Sequence, residues 1–99
     1  MTHHFRGSYA VTVTPFTEDR SAIDIAAWKR FLDWQLAEGV PGLIILGTTG
    51  EFLTLTDEER TEFVSETVSY IDKRIPVLVG TMNAYTPNAV RYSKEAEAL

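Results

Sequence analysis

Apolar and polar residues fall into alternating blocks along this chain, and the spacing inside the blocks predicts three strand–helix units. The most distinct block is residues 43–46, Leu-Ile-Ile-Leu, with no polar residue among them. Such a run reads as a strand buried on both faces, as in a parallel sheet covered by helices. Upstream, residues 24–38 carry Ile25, Trp28, Phe31, Leu32 and Leu36 at helical spacing, with Lys29, Arg30 and Asp33 elsewhere on the surface. Gly39 stands where that helix should stop. Trp28 and Trp34 are spaced so that they cannot share one core face; one belongs to the core and the other faces a neighbour.

The remaining blocks complete the pattern. Residues 8–14 predict the first strand, closed at Thr14-Pro15 because a proline cannot continue a central ladder. A polar loop, residues 17–21, follows it. After the second strand, Thr56-Asp57-Glu58-Glu59 has the S/T-x-x-E form of a capping box. Its hydroxyl and carboxylate satisfy N–H groups that a helix start leaves unpaired. The helix beyond it presents Phe63, Val64, Thr67, Val68 and Ile71, with Lys73 and Arg74 in its last turn, where the helix dipole favours cations. Ile75-Pro76 opens a third strand, residues 77–80. Thr86-Pro87 predicts an N-cap followed by proline at the first helical position. That helix carries Ala89, Val90, Ser93 and Ala96 and meets no stop signal before Leu99.

Units recurring about 34 residues apart are the pattern of a (β/α)8 barrel or of a doubly wound sheet. Eight such units need roughly 250 residues, and this chain has 99. As a complete small α/β domain it would leave its third strand as a bare parallel edge. Residues 1–99 are therefore expected to be the N-terminal fragment of a single TIM-barrel domain, about three of its eight units.

Composition narrows the partners. A net charge of -5 without a clustered Lys/Arg stripe argues against nucleic acid as a ligand. No apolar run approaches the roughly 20 residues that span a bilayer, and residues 1–6 lack the apolar core of a secretory signal. The chain has no cysteine, which removes disulfides and thiolate metal sites and fits a cytoplasmic enzyme. His3 and His4 are adjacent and have no third ligand nearby, so they read as a frayed start rather than a metal site.

The candidate chemistry gathers after the second strand, at Gly47-Thr48-Thr49-Gly50-Glu51. The carboxyl end of a parallel strand is where such folds bind ligands. Adjacent hydroxyls, each donor and acceptor, can hold a carboxylate and pass a proton along. Gly47 and Gly50 let the backbone turn tightly and a ligand approach closely. The bland alternative is a polar turn in which the hydroxyls only cap backbone groups. A phosphate loop is a second alternative, although the segment matches neither G-x-x-x-x-G-K-[ST] nor G-x-G-x-x-G, and Glu51 stands where a phosphate prefers a cation. Glu51 is expected to fix the loop by accepting backbone N–H groups. Thr12, Thr14 and Pro15 end the first strand and either line the same mouth or form a simple turn. Thr81, Asn83 and Tyr85 end the third strand in the same way, the tyrosine as an aromatic wall or a subunit contact.

These motifs, in this order, resemble the dihydrodipicolinate synthase / N-acetylneuraminate lyase family. The matching pieces are Thr12-Val13-Thr14-Pro15-Phe16, then Gly39-Val40 onward to Gly47-Thr48-Thr49-Gly50-Glu51. Leu55-Thr56-x-x-Glu59-Arg60 and Ile75-Pro76-Val77 to Gly80-Thr81 follow. The resemblance implies a class I, pyruvate-dependent lyase or aldolase on a TIM barrel, in which a lysine condenses with the keto group of a 2-oxo acid. The protonated imine then serves as an electron sink. By the same resemblance, Thr48 relays protons between tyrosines, and Thr49 binds the 2-oxo acid's carboxylate with help from loop N–H groups around Gly47 and Gly50. No metal or organic cofactor is expected, and the whole enzyme is expected to be a cytoplasmic homotetramer. The imine-forming lysine and the catalytic tyrosine belong to later strands; Lys29, Lys73 and Lys94 all lie on predicted helices. Lysine-inhibited members carry an asparagine and an acidic residue where Ala84 and Asn88 stand, and Phe52 replaces a small residue. Feedback by lysine is therefore not implied, and a sugar-acid aldolase or dehydratase stays open beside the biosynthetic synthase.

Overall fold

Leu43–Ile45, the first three residues of the four-residue apolar run, forms the middle strand of a three-stranded parallel sheet in the computed structural model, which describes residues 5–99. His3 and His4 lie outside the described residues. The flanking strands are β1, Ala10–Val11, and β3, Val77–Val79, with the middle strand as β2. Ala10 pairs with Leu43 and Val11 with Ile44 on one side; Leu43, Ile44 and Ile45 pair with Val77, Leu78 and Val79 on the other. The expected parallel order is present. The first strand is shorter than residues 8–14, because β2 leaves the ladder after Ile45 and gives Val13 and Thr14 nothing to pair with.

Each strand is followed by a helix. Helix α1, Ile25–Ala37, begins at Asp24, whose carboxylate accepts from the Ala27 N–H at 2.9 Å, and ends before Gly39 at φ +79°. Helix α2, Asp57–Ile71, opens on the expected capping box: Thr56 Oγ1 accepts from Glu59 N at 3.1 Å, and Glu59 Oε1 accepts from Thr56 N at 2.9 Å. It stops earlier than its charges suggest. Asp72 and Lys73 turn left-handed, so Lys73 and Arg74 lie past the last turn. Arg74 nonetheless folds back: its backbone N–H and its Nε both donate to the Ile71 carbonyl, at 3.1 and 2.8 Å, satisfying an acceptor at the helix end. Helix α3, Thr86–Ala98, is capped by Tyr85 rather than by Thr86. Asn83 supplies the polar turn instead, its Oδ1 accepting from Tyr85 N at 2.9 Å.

The core lies between the sheet and the first two helices. Trp28 and Leu32 of α1 meet Leu43, Ile45 and Leu46, with Phe63, Val64 and Ile71 of α2 closing over them. Each such side chain contributes about 1.5–3 kcal/mol on burial. The Trp28 and Phe63 rings pack at 4.7 Å, and the indole N–H donates to Thr67 Oγ1 at 2.8 Å. Thr67 Oγ1 in turn donates to the Phe63 carbonyl at 2.6 Å, so the indole N–H and this hydroxyl are both satisfied. Trp34, the other tryptophan, is 56% exposed. The opposite face of the sheet is less covered than a strand buried on both sides would be. Val11, Ile44 and Leu78 lie side by side there, and Val11 and Leu78 are 51% and 39% exposed.

Candidate active site

Beyond Ile45 the chain makes one sharp turn, and its geometry differs from the one glycine content suggests. The left-handed residues are Leu46 at φ +57° and Glu51 at φ +58°, not Gly47 or Gly50. A left-handed non-glycine residue costs about 1–2 kcal/mol. Leu46 offsets that cost because its side chain is wholly buried in the core. Gly50 serves close approach: a Cβ there would stand 3.0 Å from Leu46 N and 3.4 Å from the Thr12 carbonyl. Gly80, at the end of β3, is tighter still, since a Cβ would fall 2.2 Å from the Leu46 carbonyl. At Gly47, among the described residues, nothing lies within 4 Å of such an atom.

Thr48 and Thr49 form the exposed crest of this turn. The bonds that hold it run through the backbone: Glu51 N–H donates to the Thr48 carbonyl at 3.0 Å, and Thr54 donates twice to the Glu51 carbonyl. Among the described residues, neither threonine hydroxyl has a hydrogen-bond partner in the protein. They therefore do not cap backbone groups, and both remain available to a ligand. Glu51 departs from expectation. Its exposed carboxylate accepts no hydrogen bond among the described residues; its carbonyl holds the turn instead. The segment continues into a 3-10 turn, Phe52–Thr54, before α2 begins at Asp57. No α-helix N-terminus stands directly behind the glycines, as a phosphate loop requires.

The first strand contributes support rather than lining. Thr12 and Thr14 are buried, Thr12 Oγ1 donating to the Ile44 carbonyl at 3.3 Å and Thr14 Oγ1 to the Gly50 carbonyl at 2.7 Å. Pro15 is half-buried and its carbonyl accepts from Asp24 N at 2.9 Å, tying the strand end to α1. On the third strand Gly80 N–H donates to the Ile45 carbonyl at 2.9 Å. Thr81 is half-buried, and Tyr85 is exposed at the start of α3.

The Gly80 carbonyl is held by a residue that pattern reading passes over. Arg60, only 7% exposed, reaches from α2 and donates to it through Nη2. Burial pulls its guanidinium below the usual arginine range, and the Tyr92 ring covers it at 4.1 Å. Tyr92 in turn donates to Asp57 Oδ1 at 2.7 Å, and Arg91 Nη2 donates to Asp57 Oδ2 at 3.1 Å. Those bonds, the tyrosine's first, hold the Asp57 carboxyl below its ordinary 3.8. Phe52, Leu55, Arg60, Met82, Asn83 and Tyr92 are among the residues lining a cleft of about 90 Å³ beside the turn. A signal for Arg60 does exist in the sequence: it precedes Phe63, Val64, Thr67 and Ile71 on the same helical stripe, where an arginine is out of place.

The lysines stand apart from the strand-end turns. Lys29 pairs with Glu66 at 3.1 Å between α1 and α2. Lys73 occupies the left-handed turn that leads into β3, not a helix as expected, and Lys94 is exposed on α3. Among the described residues no three His, Asp or Glu side chains gather as a metal site would require, and no helix is long and apolar enough to cross a membrane.

Comparison with known proteins bears directly on this arrangement. Residues 4–99 match the model of the dihydrodipicolinate synthetase family. The chain is 44% identical over 95 residues to a 4-hydroxy-tetrahydrodipicolinate synthase of Acidiphilium cryptum, covering 96% of this chain and 32% of that protein. It is 46% identical over 92 residues to one of Salinibacter ruber, covering 93% and 30%. Among solved structures, the chloride-inhibited dihydrodipicolinate synthase from Acinetobacter baumannii complexed with pyruvate superposes with a TM-score of 0.88 at 33% identity, over 93% of this chain and 31% of that one. The chain thus spans about a third of the length of the relatives it matches, and its three units have the TIM-barrel form expected from the sequence. Matched along nearly its whole length in both sequence and backbone, this chain belongs to the dihydrodipicolinate synthetase family.

Proposed function

We propose that these residues form the first three units of a class I lyase that makes or breaks a carbon–carbon bond beside the imine of pyruvate or a related 2-oxo acid. Supporting this are the names of the relatives and the pyruvate held by the Acinetobacter baumannii structure. The observation that carries the reading is local: two neighbouring hydroxyls without a hydrogen-bond partner among the described residues, on an exposed crest whose base is packed into the core.

In this proposal a lysine outside the 99 residues condenses with the keto carbon and releases water, and the protonated imine accepts electron density from the neighbouring carbon. Thr49 and the loop N–H groups bind the carboxylate, with Gly47 and Gly50 giving the ligand room. Thr48 accepts a proton with one lone pair while donating its own, which is what a relay requires. The chemistry calls on no metal or organic cofactor. Of the possible directions, synthesis of a hydroxy-tetrahydrodipicolinate is favoured by the relatives' names over a sugar-acid aldolase or dehydratase. The proposed enzyme is a cytoplasmic homotetramer. Leu53, Met82 and Tyr85, large apolar or aromatic side chains exposed near the strand ends, support an assembly that covers them.

The test uses the whole enzyme. Borohydride added with pyruvate should leave a stable mass adduct on one lysine; absence of an adduct with pyruvate and related 2-oxo acids removes the proposal. Thr48→Val should lower kcat by about 10²-fold, within the range for a lost proton-transfer group, while changing KM far less. Thr49→Val should act mainly on KM.

A further inference from the structure

Thr14 is buried, it precedes a proline, and the proposed chemistry makes no use of it. Its hydroxyl donates to the Gly50 carbonyl at 2.7 Å across 36 residues of sequence. Among the described residues the one other side-chain bond to residues 47–51 is short-range, from Thr54 Oγ1 to the Glu51 carbonyl at 2.8 Å, so Thr14 alone ties this turn to a distant part of the chain through a side chain. The remaining bonds there are local, and one of them, Phe52 N–H to the Gly47 carbonyl, is long at 3.5 Å.

The consequence follows from the planarity of one peptide. In a trans peptide the carbonyl and the next residue's N–H point in opposite directions. The Gly50 carbonyl points at Thr14, so the Glu51 N–H points away from it, and it donates to the Thr48 carbonyl at 3.0 Å. The plane has little freedom to rotate, since Gly50 packs closely on backbone: a Cβ there would stand 3.0 Å from Leu46 N and 3.4 Å from the Thr12 carbonyl. Away from water, such a hydrogen bond is stronger than on the surface.

We propose that Thr14 is a positioning residue for Thr48, setting that threonine's backbone, and hence its hydroxyl, through the Gly50–Glu51 peptide. The inference rests on the relay reading of Thr48. Thr14 touches neither substrate nor reacting atoms, and its effect on rate is indirect. Small misplacement of a reacting group costs up to about 10²-fold in rate, so a loosened Thr48 lowers kcat while leaving Thr49 and the carboxylate contact largely in place.

The experiment compares Thr14→Val, which deletes the hydroxyl and keeps the shape, with Thr14→Ser, which keeps the hydroxyl, in the whole enzyme. The Val variant should lose about tenfold in kcat with KM changed less than about threefold, and the Ser variant should stay within about threefold of the parent. In a Thr48→Val background the Val substitution at position 14 should have almost no further effect, because the group it positions is gone. Effects that multiply, or a Val variant as fast as the parent, overturn the proposal. Should Thr14→Val fail to fold, Thr14→Ala against Thr14→Ser makes the same comparison without the methyl. Hydrogen exchange gives a readout independent of turnover. The peptide covering residues 47–52 should exchange faster in the hydroxyl-deleted variant and not in the Ser variant, with α1 and α2 unchanged; unaltered exchange refutes the role. A parent enzyme that forms no borohydride adduct yet shows this change in exchange locates the failure in the proposed activity, not in the hydrogen-bonded link.

Discussion

Two glycines near the strand ends, Gly47 and Gly80, look alike in sequence and do different work in the fold. Gly80 has no room for a methyl group because the Leu46 carbonyl occupies the space, and backbone cannot move aside as a flexible side chain can. Gly80→Ala should therefore destabilise the enzyme by about 1–3 kcal/mol or more, the usual range for overpacking, read as a lowered Tm or loss of soluble protein. Gly47 has nothing within 4 Å of an added Cβ among the described residues, and Gly47→Ala should leave stability within about 0.5 kcal/mol of the parent. Its effect should appear as a raised KM for the 2-oxo acid, since the added methyl enters space the ligand needs. A Gly47→Ala enzyme with lowered Tm and unchanged KM contradicts that assignment. The sequence marked Gly47 and Gly50 as turn positions and put Gly80 at the end of the third strand, but it could not show that the left-handed burden falls on Leu46 and Glu51. That choice depends on how much core Leu46 finds to bury itself in.

At the scale of elements, helices α2 and α3 are joined through polar groups rather than through a shared apolar face. Helix α3 has no fully buried side chain of its own, and its Tyr92 and Arg91 both bond Asp57 at the start of α2. The Asp57 pKa is lowered in the folded state, first by the Tyr92 hydroxyl and then by Arg91, from an ordinary 3.8. A lowered carboxyl pKa means that the folded form prefers the ionised group. Its stabilising effect is complete above pH 3.8 and is lost as pH falls below that value through the folded pKa. Thermal melts of the parent and of Asp57→Asn should consequently differ at about pH 5 and converge toward about pH 3. A gap that stays constant with pH would mean that the bonds to Tyr92 and Arg91 do not depend on the charge. The capping box beside this network was legible from four residues, because its partners lie three positions apart. Arg60, the arginine on the apolar stripe of α2, was legible too, but its partner was not, because the Gly80 carbonyl is 20 residues away, just past β3.

For the molecule as a whole, the decisive feature is a sheet with one covered and one open face. Helices α1 and α2 bury Leu43 and Ile45, whereas Val11, Ile44 and Leu78 form an apolar row on the other side. In a closed barrel that row would point inward and meet the opposite strands. A polypeptide limited to these 99 residues should therefore self-associate, seen by sedimentation velocity at tens of micromolar. Leu78→Thr should reduce the association by making the row less apolar. A monodisperse, cooperatively folding monomer would show that the face needs no further cover.

What the sequence determined by itself is everything set by near neighbours: the alternation of strand and helix, the capping box, the Gly39 stop and the position of the hydroxyl pair after an apolar strand. Periodicity and capping join residues only a few positions apart, so they can be read along the chain. The tertiary structure alone decided the left-handed Leu46, the burial of Arg60, the Trp28–Thr67 bond across 39 residues and the hold of Thr14 on Gly50 across 36. Each of these needs a partner that comes within reach only after the strands pair and the helices close over them. No local pattern encodes that distance.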